Sequence, residues 1–368
     1  MKAKRNYSID LLKCLSMLMV VFLHLGGYGL KEAEYNPVGL IGITNDLLQS
    51  FSIVGVNVFV LITGYFISAK NITINRECLI KHYKHLLPLW IQVEMYSVGI
   101  YLILCAIPQS GVEFSAKMMI KQALPLLNNQ YWFFTDYCLL VIVSPLLNKA
   151  IWSLTNQEYR SGLLVVIATF SLLPSLNIFG NSFETEYGFS LLWFIVLYLV
   201  AGYIRKNEEE YKSKKSTLCF LAFVLLFFII RISIDFAPGP LRAVLSLSSC
   251  CYTSFFVLVA SVALFLAFLK SNHEYKNAGK TIAIISSLSF AVYLIHEHNA
   301  FRGVLWRELV GLERYTDTPG ICLLIMFLSV VCIYFGSISV EFIRIKIILL
   351  ISFVVRKVWK KKGNEFTS

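Results

Sequence analysis

Charged residues along this chain fall in clusters, and between the clusters lie ten long apolar runs: 9–26, 47–68, 86–107, 131–147, 163–176, 190–204, 218–236, 249–269, 282–295 and 321–343. A bilayer crossing needs about 20 predominantly apolar residues. Several runs fall short of that, so their helices are expected to extend into the flanks. Unsatisfied backbone is costly in lipid, which predicts a helix for each run. Barrel strands are short and alternate apolar with polar positions, and these continuous runs do neither. The expectation is an all-α, polytopic transmembrane bundle of about ten spans.

Composition agrees. Of 368 residues, 57% are hydrophobic and 15% charged, whereas soluble domains are about half apolar and a quarter charged. A soluble enzyme and a disordered chain are both excluded. The formal net charge of +11 would raise the question of nucleic acid in a soluble protein. Here it tracks topology. With a cytoplasmic N-terminus, the inner segments collect Lys2, Lys4 and Arg5; Lys70, Arg76, Lys81 and Lys84; Lys149 and Arg160; Arg205, Lys206, Lys212, Lys214 and Lys215; Lys270, Lys276 and Lys280; and the basic run from Arg344 to Lys362. The outer segments hold only Lys31, Lys117, Lys121, Arg231, Arg242, Arg302, Arg307 and Arg314. That skew predicts both termini inside and no nucleic-acid partner.

The basic start and apolar stretch at the N-terminus are those of a signal peptide, but no small-residue cleavage site follows Leu25, which predicts a retained first helix. No repeat or linker divides residues 1–343, which read as one membrane domain, with 344–368 as a basic cytoplasmic tail. That tail reads either as an interfacial helix or as the end of the last span. Nine cysteines, Cys14, Cys78, Cys105, Cys138, Cys219, Cys250, Cys251, Cys322 and Cys332, have neither zinc spacing nor a disulfide pattern. They read as buried small hydrophobes, and no metal is expected. No P-loop, GxGxxG, HExxH or GxSxG pattern is present, so nucleotide hydrolysis, dinucleotide redox chemistry and zinc hydrolysis lack support.

Ionisable residues inside spans are costly and point to function. The first run carries Asp10, Lys13 and His24. Eleven residues close three helical turns with about 20° of drift, so Lys13 and His24 share a face, roughly 16 Å apart. Snorkelling is the bland account of Lys13, and an interfacial hydrogen bond that of His24. Asp10 reads as a partner for Lys13 or as an ordinary helix pair. A second histidine, His296, ends the ninth run beside Glu297, with His298 beyond. Odd spans run outward, so His24 and His296 approach the same face. Glu297 is placed to orient an imidazole and raise its basicity. A basic cluster, Arg76, Lys81, His82, Lys84 and His85, precedes Leu86-Leu87-Pro88 and suits phosphates or anionic lipid. Inner-loop charge statistics account for much of it as well.

Taken together these residues resemble the acyltransferase 3 family of bacterial membrane proteins. The segment from Ser8 through Lys13 to His24 resembles the family's basic-x10-His motif, and Val56–Ile67, with Asn57 and Thr63-Gly64-Tyr65, its second-helix signature. Lys84-His85-Leu86-Leu87-Pro88, Tyr131-Trp132-Phe133-Phe134, Ser144-Pro145-Leu146-Leu147-Asn148, Leu192-Trp193-Phe194 and Tyr293-Leu294-Ile295-His296 follow in the family's order. The resemblance implies acyl transfer, often of acetyl, from a cytosolic acyl-CoA to a hydroxyl of an envelope glycan or its lipid-linked precursor, in the bacterial plasma membrane. Acetyl-CoA is then a co-substrate, and no resident cofactor is implied. It further implies His24 as base or acyl carrier, with His296 and Glu297 assisting. Lys13, Lys81, Lys84 and His85 would meet the donor, and Asn57, Tyr293, Trp132 and Trp193 the acceptor. Two departures stand out: Lys13 replaces the usual arginine and loses its bidentate fork, and histidines dilute the basic cluster.

A flippase or transporter is the first competing reading. Pro88, Pro125, Pro145 and Pro174 lie at run ends or in loops, and no duplication is visible, where transporters often show paired broken helices. A glycan polymerase is the second. It would be expected to carry a large outer loop, and the outer segments 27–46, 108–130 and 297–320 are modest.

Overall fold

The computed structural model describes residues 5–31, 33–69, 74–176, 182–208, 216–239, 241–242, 251–271, 275 and 278–365. Among the described residues every apolar run lies on a helix and no strand occurs. We number the helices α1 (Tyr7–Gly29), α2 (Leu40–Ile67), α3 (Arg76–Ala106), α4 (Ala116–Gln122), α5 (Trp132–Ser153), α6 (Asn156–Leu176), α7 (Leu191–Lys206), α8 (Ser216–Asp235), α9 (Phe255–Leu269), α10 (Ala278–His296), α11 (Asn299–Gly303) and α12 (Pro319–Glu365). Eight of these are long and apolar enough to cross a membrane: α1, α2, α3, α5, α6, α8, α10 and α12. The short runs at 163–176 and 282–295 gain their length from polar flanks, as expected. The runs at 190–204 and 249–269 lie on α7 and α9, of 16 and 15 residues, below the length of a full crossing.

Polar residues set the helix ends. The Asn6 side chain accepts from the Ser8 and Ile9 amides to start α1, and Thr155 with Glu158 forms a capping box on α6. At the end of α2, the carbonyls of Ile67 and Ser68 accept from Asn148 Nδ2 at 3.0 Å and Trp152 Nε1 at 2.9 Å, both on α5. Lipid offers no donor for such orphan groups, so α5 supplies them. Pro145 within α5 lacks the N–H that would reach Val141. That freed carbonyl accepts instead from Ser144 Oγ at 2.8 Å and from His82 Nε2 at 3.3 Å. Gly64 permits a close contact of α2 with α7, since a Cβ there would lie 2.9 Å from Ala201 Cβ and 3.1 Å from Tyr198 Cα.

α1 lies inside the bundle, packed by α2, α9, α10 and α12, with Leu12, Val21 and Leu25 buried. Outward faces of α8 and α12 stay apolar, with Leu218, Leu225, Ile229, Leu324, Leu328 and Phe335 exposed. Such a surface suits hydrocarbon rather than water.

Two expectations change. Asp10 pairs with Arg5, whose Nε lies 2.6 Å away, and not with Lys13; Arg5 precedes the helix and can fold its fork back onto the first turn. Of the eight described cysteines, all free, only Cys14 and Cys322 are buried, and Cys332 is exposed, because the apolar phase that meets Cys332 is the outward face of α12. Lys2, Lys4, Lys70, Lys212, Lys214, Lys215, Lys276 and Cys250 lie outside the described residues, as do the tail's last three residues and its side chains from Lys357. The tail up to Glu365 continues α12 without a break.

Candidate active site

Two helix ends meet to form the site. His24 is the last α-helical residue of α1 before a π-helical turn over Leu25–Gly29, and His296 ends α10 after a break at Ser289. Gly279 lets α10 approach the start of α1, since a Cβ there would press to 2.8 Å from the Tyr7 ring. At the far ends of the two helices His24 Nδ1 lies 2.8 Å from His296 Nε2. His296 is buried, whereas the His24 side chain keeps 14% of its surface.

The hydrogen bonds decide the tautomers. His296 Nδ1 bonds the Val292 carbonyl, which can only accept, so Nδ1 carries the proton. In a neutral ring Nε2 is then an acceptor, and His24 Nδ1–H donates to it. The remaining ring nitrogen of His24, Nε2, is left with its lone pair and no partner among the described residues.

Glu297 lies beside this pair. Its Oε2 is 3.3 Å from His24 Nδ1 without closing a hydrogen bond. Its Oε1 accepts from Arg302 Nη1 at 2.9 Å and from Tyr28 Oη at 3.2 Å. The Arg302 guanidinium stacks on the Tyr28 ring at 4.5 Å. The carboxylate is therefore held still, with one oxygen left to face the imidazole. His298 caps α11 through Nδ1 and donates from Nε2 to the Ser97 carbonyl at 2.9 Å, so both its nitrogens are used in structure.

His24 opens on a cavity of about 80 Å³ whose walls include Met17, Phe59, Trp132, Tyr252, Ser289 and Tyr293. Of the side chains expected at the acceptor, Trp132 and Tyr293 line this space. Asn57 and Trp193 do not. Both are fully buried, Trp193 Nε1 donating to Asn57 Oδ1 at 3.0 Å and Asn57 Nδ2 to the Tyr252 carbonyl at 2.9 Å. They brace the cavity wall from behind and leave no ring face for a sugar.

The basic residues lie toward the opposite end of the bundle. His298 touches Ser97 on α3, and Lys84 stands thirteen residues earlier on that helix, roughly 20 Å away along its axis. Lys13 is set back about 16 Å along α1 by the same geometry. Lys81, Lys84 and His85 are exposed; Lys13 is half-buried and forms no hydrogen bond or ion pair among the described residues. His82, which the sequence offered only as a diluted cation, is anchored by Nε2 to Ser144 Oγ at 2.9 Å. Arg302 and Tyr28 carry part of the site and escape a reading by spans. Arg302 counted there as one more outer-loop charge, and Tyr28 lay just past the end of the first run.

An acyltransferase-domain family model matches residues 6–343. No curated protein and no solved structure matches the chain. The match takes in α1 through most of α12, including every residue of the histidine site, and eight helices among the described residues are long and apolar enough to cross a membrane: the chain belongs to the acyltransferase 3 family and is a multi-pass membrane acyltransferase.

Proposed function

We propose that this protein transfers an acetyl group from acetyl-CoA to a hydroxyl of an envelope, capsular or O-antigen polysaccharide, or of its lipid-linked precursor, at a bacterial plasma membrane. One observation carries the reading: His24 Nε2 has no partner among the described residues and its ring faces a cavity, while Nδ1 is tied to His296. A sugar hydroxyl is a weak nucleophile until a positioned base takes its proton. His24 Nε2 accepts that proton as the oxygen attacks the thioester carbonyl. The tetrahedral intermediate then expels the coenzyme A thiolate, and the proton passes from His24 to the departing sulfur. Glu297 stabilises the imidazolium in between, and His296 holds the ring in the productive tautomer, the division of labour seen in catalytic triads. A cavity of about 80 Å³ is well below the roughly 300 Å³ of pockets for drug-sized ligands, which favours a two-carbon acyl group. Lys13, Lys81 and Lys84 supply cations, and His85 a ring N–H, for the coenzyme phosphates at the other end, where a cytosolic donor would enter.

The test is label transfer from [acetyl-14C]acetyl-CoA in membranes supplied with the host's envelope glycan. Wild-type protein is expected to place label in the glycan. His24→Ala, equally abundant in the membrane, is expected to place none. Glycan that crosses the membrane unmodified would instead make the protein a transporter.

A further inference from the structure

Tyr293 has a hydroxyl with nothing to do in the resting protein. The residue is 4% exposed, and its Oη is buried with no hydrogen-bond partner among the described residues. An orphaned buried hydroxyl is destabilising, and a native structure rarely keeps one without use. The ring is wedged among Tyr131, Phe133 and Phe290, with centroids 5.8, 6.0 and 6.3 Å away, so phenylalanine would fill the same space without the cost. Tyr293 stands one helical turn before His296, ring centroids 6.4 Å apart, and forms part of the wall of the cavity onto which His24 opens. The first turn of α5 has no side-chain cap, and the Phe133 main-chain N–H in that turn faces the Tyr293 oxygen without completing a bond. An N–H dipole on the oxygen side leaves the phenolic proton free to point elsewhere.

We propose that the Tyr293 hydroxyl is the hydrogen-bond donor to the oxyanion of the tetrahedral intermediate, a catalytic role distinct from the base at His24. This rests on the acyl-transfer reading above. When the acceptor oxygen adds to the thioester carbonyl, the C=O π pair moves to oxygen, and that oxyanion takes a hydrogen bond from Tyr293 Oη–H. When the C–S bond breaks, the pair returns, the carbonyl reforms and the hydroxyl is released unchanged. No proton leaves Tyr293, so the step balances with His24 as sole proton carrier. Removing a single oxyanion donor lowers kcat by about 10²–10³.

The experiment compares Tyr293→Phe, Tyr293→Ala and His24→Ala in purified, detergent-solubilised full-length protein, reading thermal midpoint and acetyl transfer to glycan at saturating and limiting acetyl-CoA. For Tyr293→Phe the expected result is an unchanged or raised midpoint, an unchanged KM for acetyl-CoA and kcat lower by about 10²–10³. Tyr293→Ala is expected to lower the midpoint through the cavity it leaves, which separates packing from chemistry. Tyr293→Phe with wild-type kcat, while His24→Ala is dead, overturns the donor role alone. Activity retained in His24→Ala overturns the site reading and the inference with it. A lower midpoint in Tyr293→Phe also overturns the proposal, because the hydroxyl would then be bonded in the resting state.

Discussion

The proton on His296 Nδ1 decides what His24 can do. Because Val292 offers only a carbonyl, His296 must present a lone pair to His24, and His24 must turn its own lone pair toward the cavity. Replacing His296 with phenylalanine keeps the ring's bulk and removes that instruction. Loss of tautomer control in a triad costs up to about 10⁴ in kcat, and we expect His296→Phe to lose at least about a hundredfold with KM for acetyl-CoA little changed. The double variant with His24→Ala should be no worse than His24→Ala itself, since residues acting as a unit are not additive; a further drop would mean that His296 works independently. Glu297→Gln keeps the shape and removes the charge beside His24 Nδ1. The expected loss is about 10- to 100-fold, or about 1.4–2.7 kcal/mol of transition-state stabilisation. Because the base must be uncharged, transfer should be lost once the medium is acidic enough to protonate His24, which a kcat–pH profile would read. At this scale the sequence was half legible. Lys13, His24, His296 and Glu297 stood out as charges placed where lipid penalises them. Arg302 and Tyr28 did not, because a loop cation and an aromatic at a span end are ordinary until folding brings them to Glu297. Asp10 misled for the opposite reason: its neighbour on the helix was visible, and its true partner Arg5 lay before the helix began.

Helix boundaries connect the histidine site to the basic turn at the start of α3. That turn carries Lys81, Lys84 and His85 in solvent, yet it is fixed to α5 by His82 and by the Tyr83 hydroxyl, which donates to the Ile142 carbonyl at 3.0 Å. One of the two acceptors for His82 exists because Pro145 within α5 frees the Val141 carbonyl, and the other is Ser144 Oγ one residue before the proline. A proline in one helix thus positions cations in another. If those cations hold the coenzyme phosphates, His82→Ala should raise KM for acetyl-CoA several-fold with kcat preserved. Steady-state kinetics at two salt concentrations would check this: Lys81→Ala with Lys84→Ala should flatten the salt dependence of KM, whereas His82→Ala should keep it. An altered kcat with unchanged KM would instead tie this turn to the catalytic end. The apolar runs announced nearly every helix, since lipid leaves the backbone no other solution. What they could not announce was function inside the signatures. Gly64, Asn148 and Trp193 belong to motifs of the resemblance, and in the fold they allow α2 to meet α7, cap α2, and brace the cavity wall. A motif records that residue types recur together, and packing is as good a reason for that as catalysis.

The whole molecule separates a basic turn from a histidine site along its length. α1 and α3 run in the same direction, so their starts place Lys13, Lys81 and Lys84 at one end, while their other ends reach His24 and, through Ser97, the loop after His296. An acyl-CoA is a cytosolic metabolite, whereas an envelope glycan is exposed outside. Under the proposed function the two ends face different compartments, and the excess of Lys and Arg in alternate segments leads us to expect the α3 start on the cytosolic side. The orientation can be read directly with two exposed positions, Lys84 and Glu313, each changed to cysteine in a background whose nine native cysteines are replaced. A membrane-impermeant maleimide applied to intact cells is expected to label position 313 and to reach position 84 only after permeabilisation. The reverse pattern would put the basic turn outside, where no acyl-CoA is available, and would detach Lys81 and Lys84 from the donor while leaving the histidine geometry intact. Labelling of both positions in intact cells would place the turn and the histidine site on one face. The acyl group would then have no membrane to cross, and the donor would have to be something other than a cytosolic thioester.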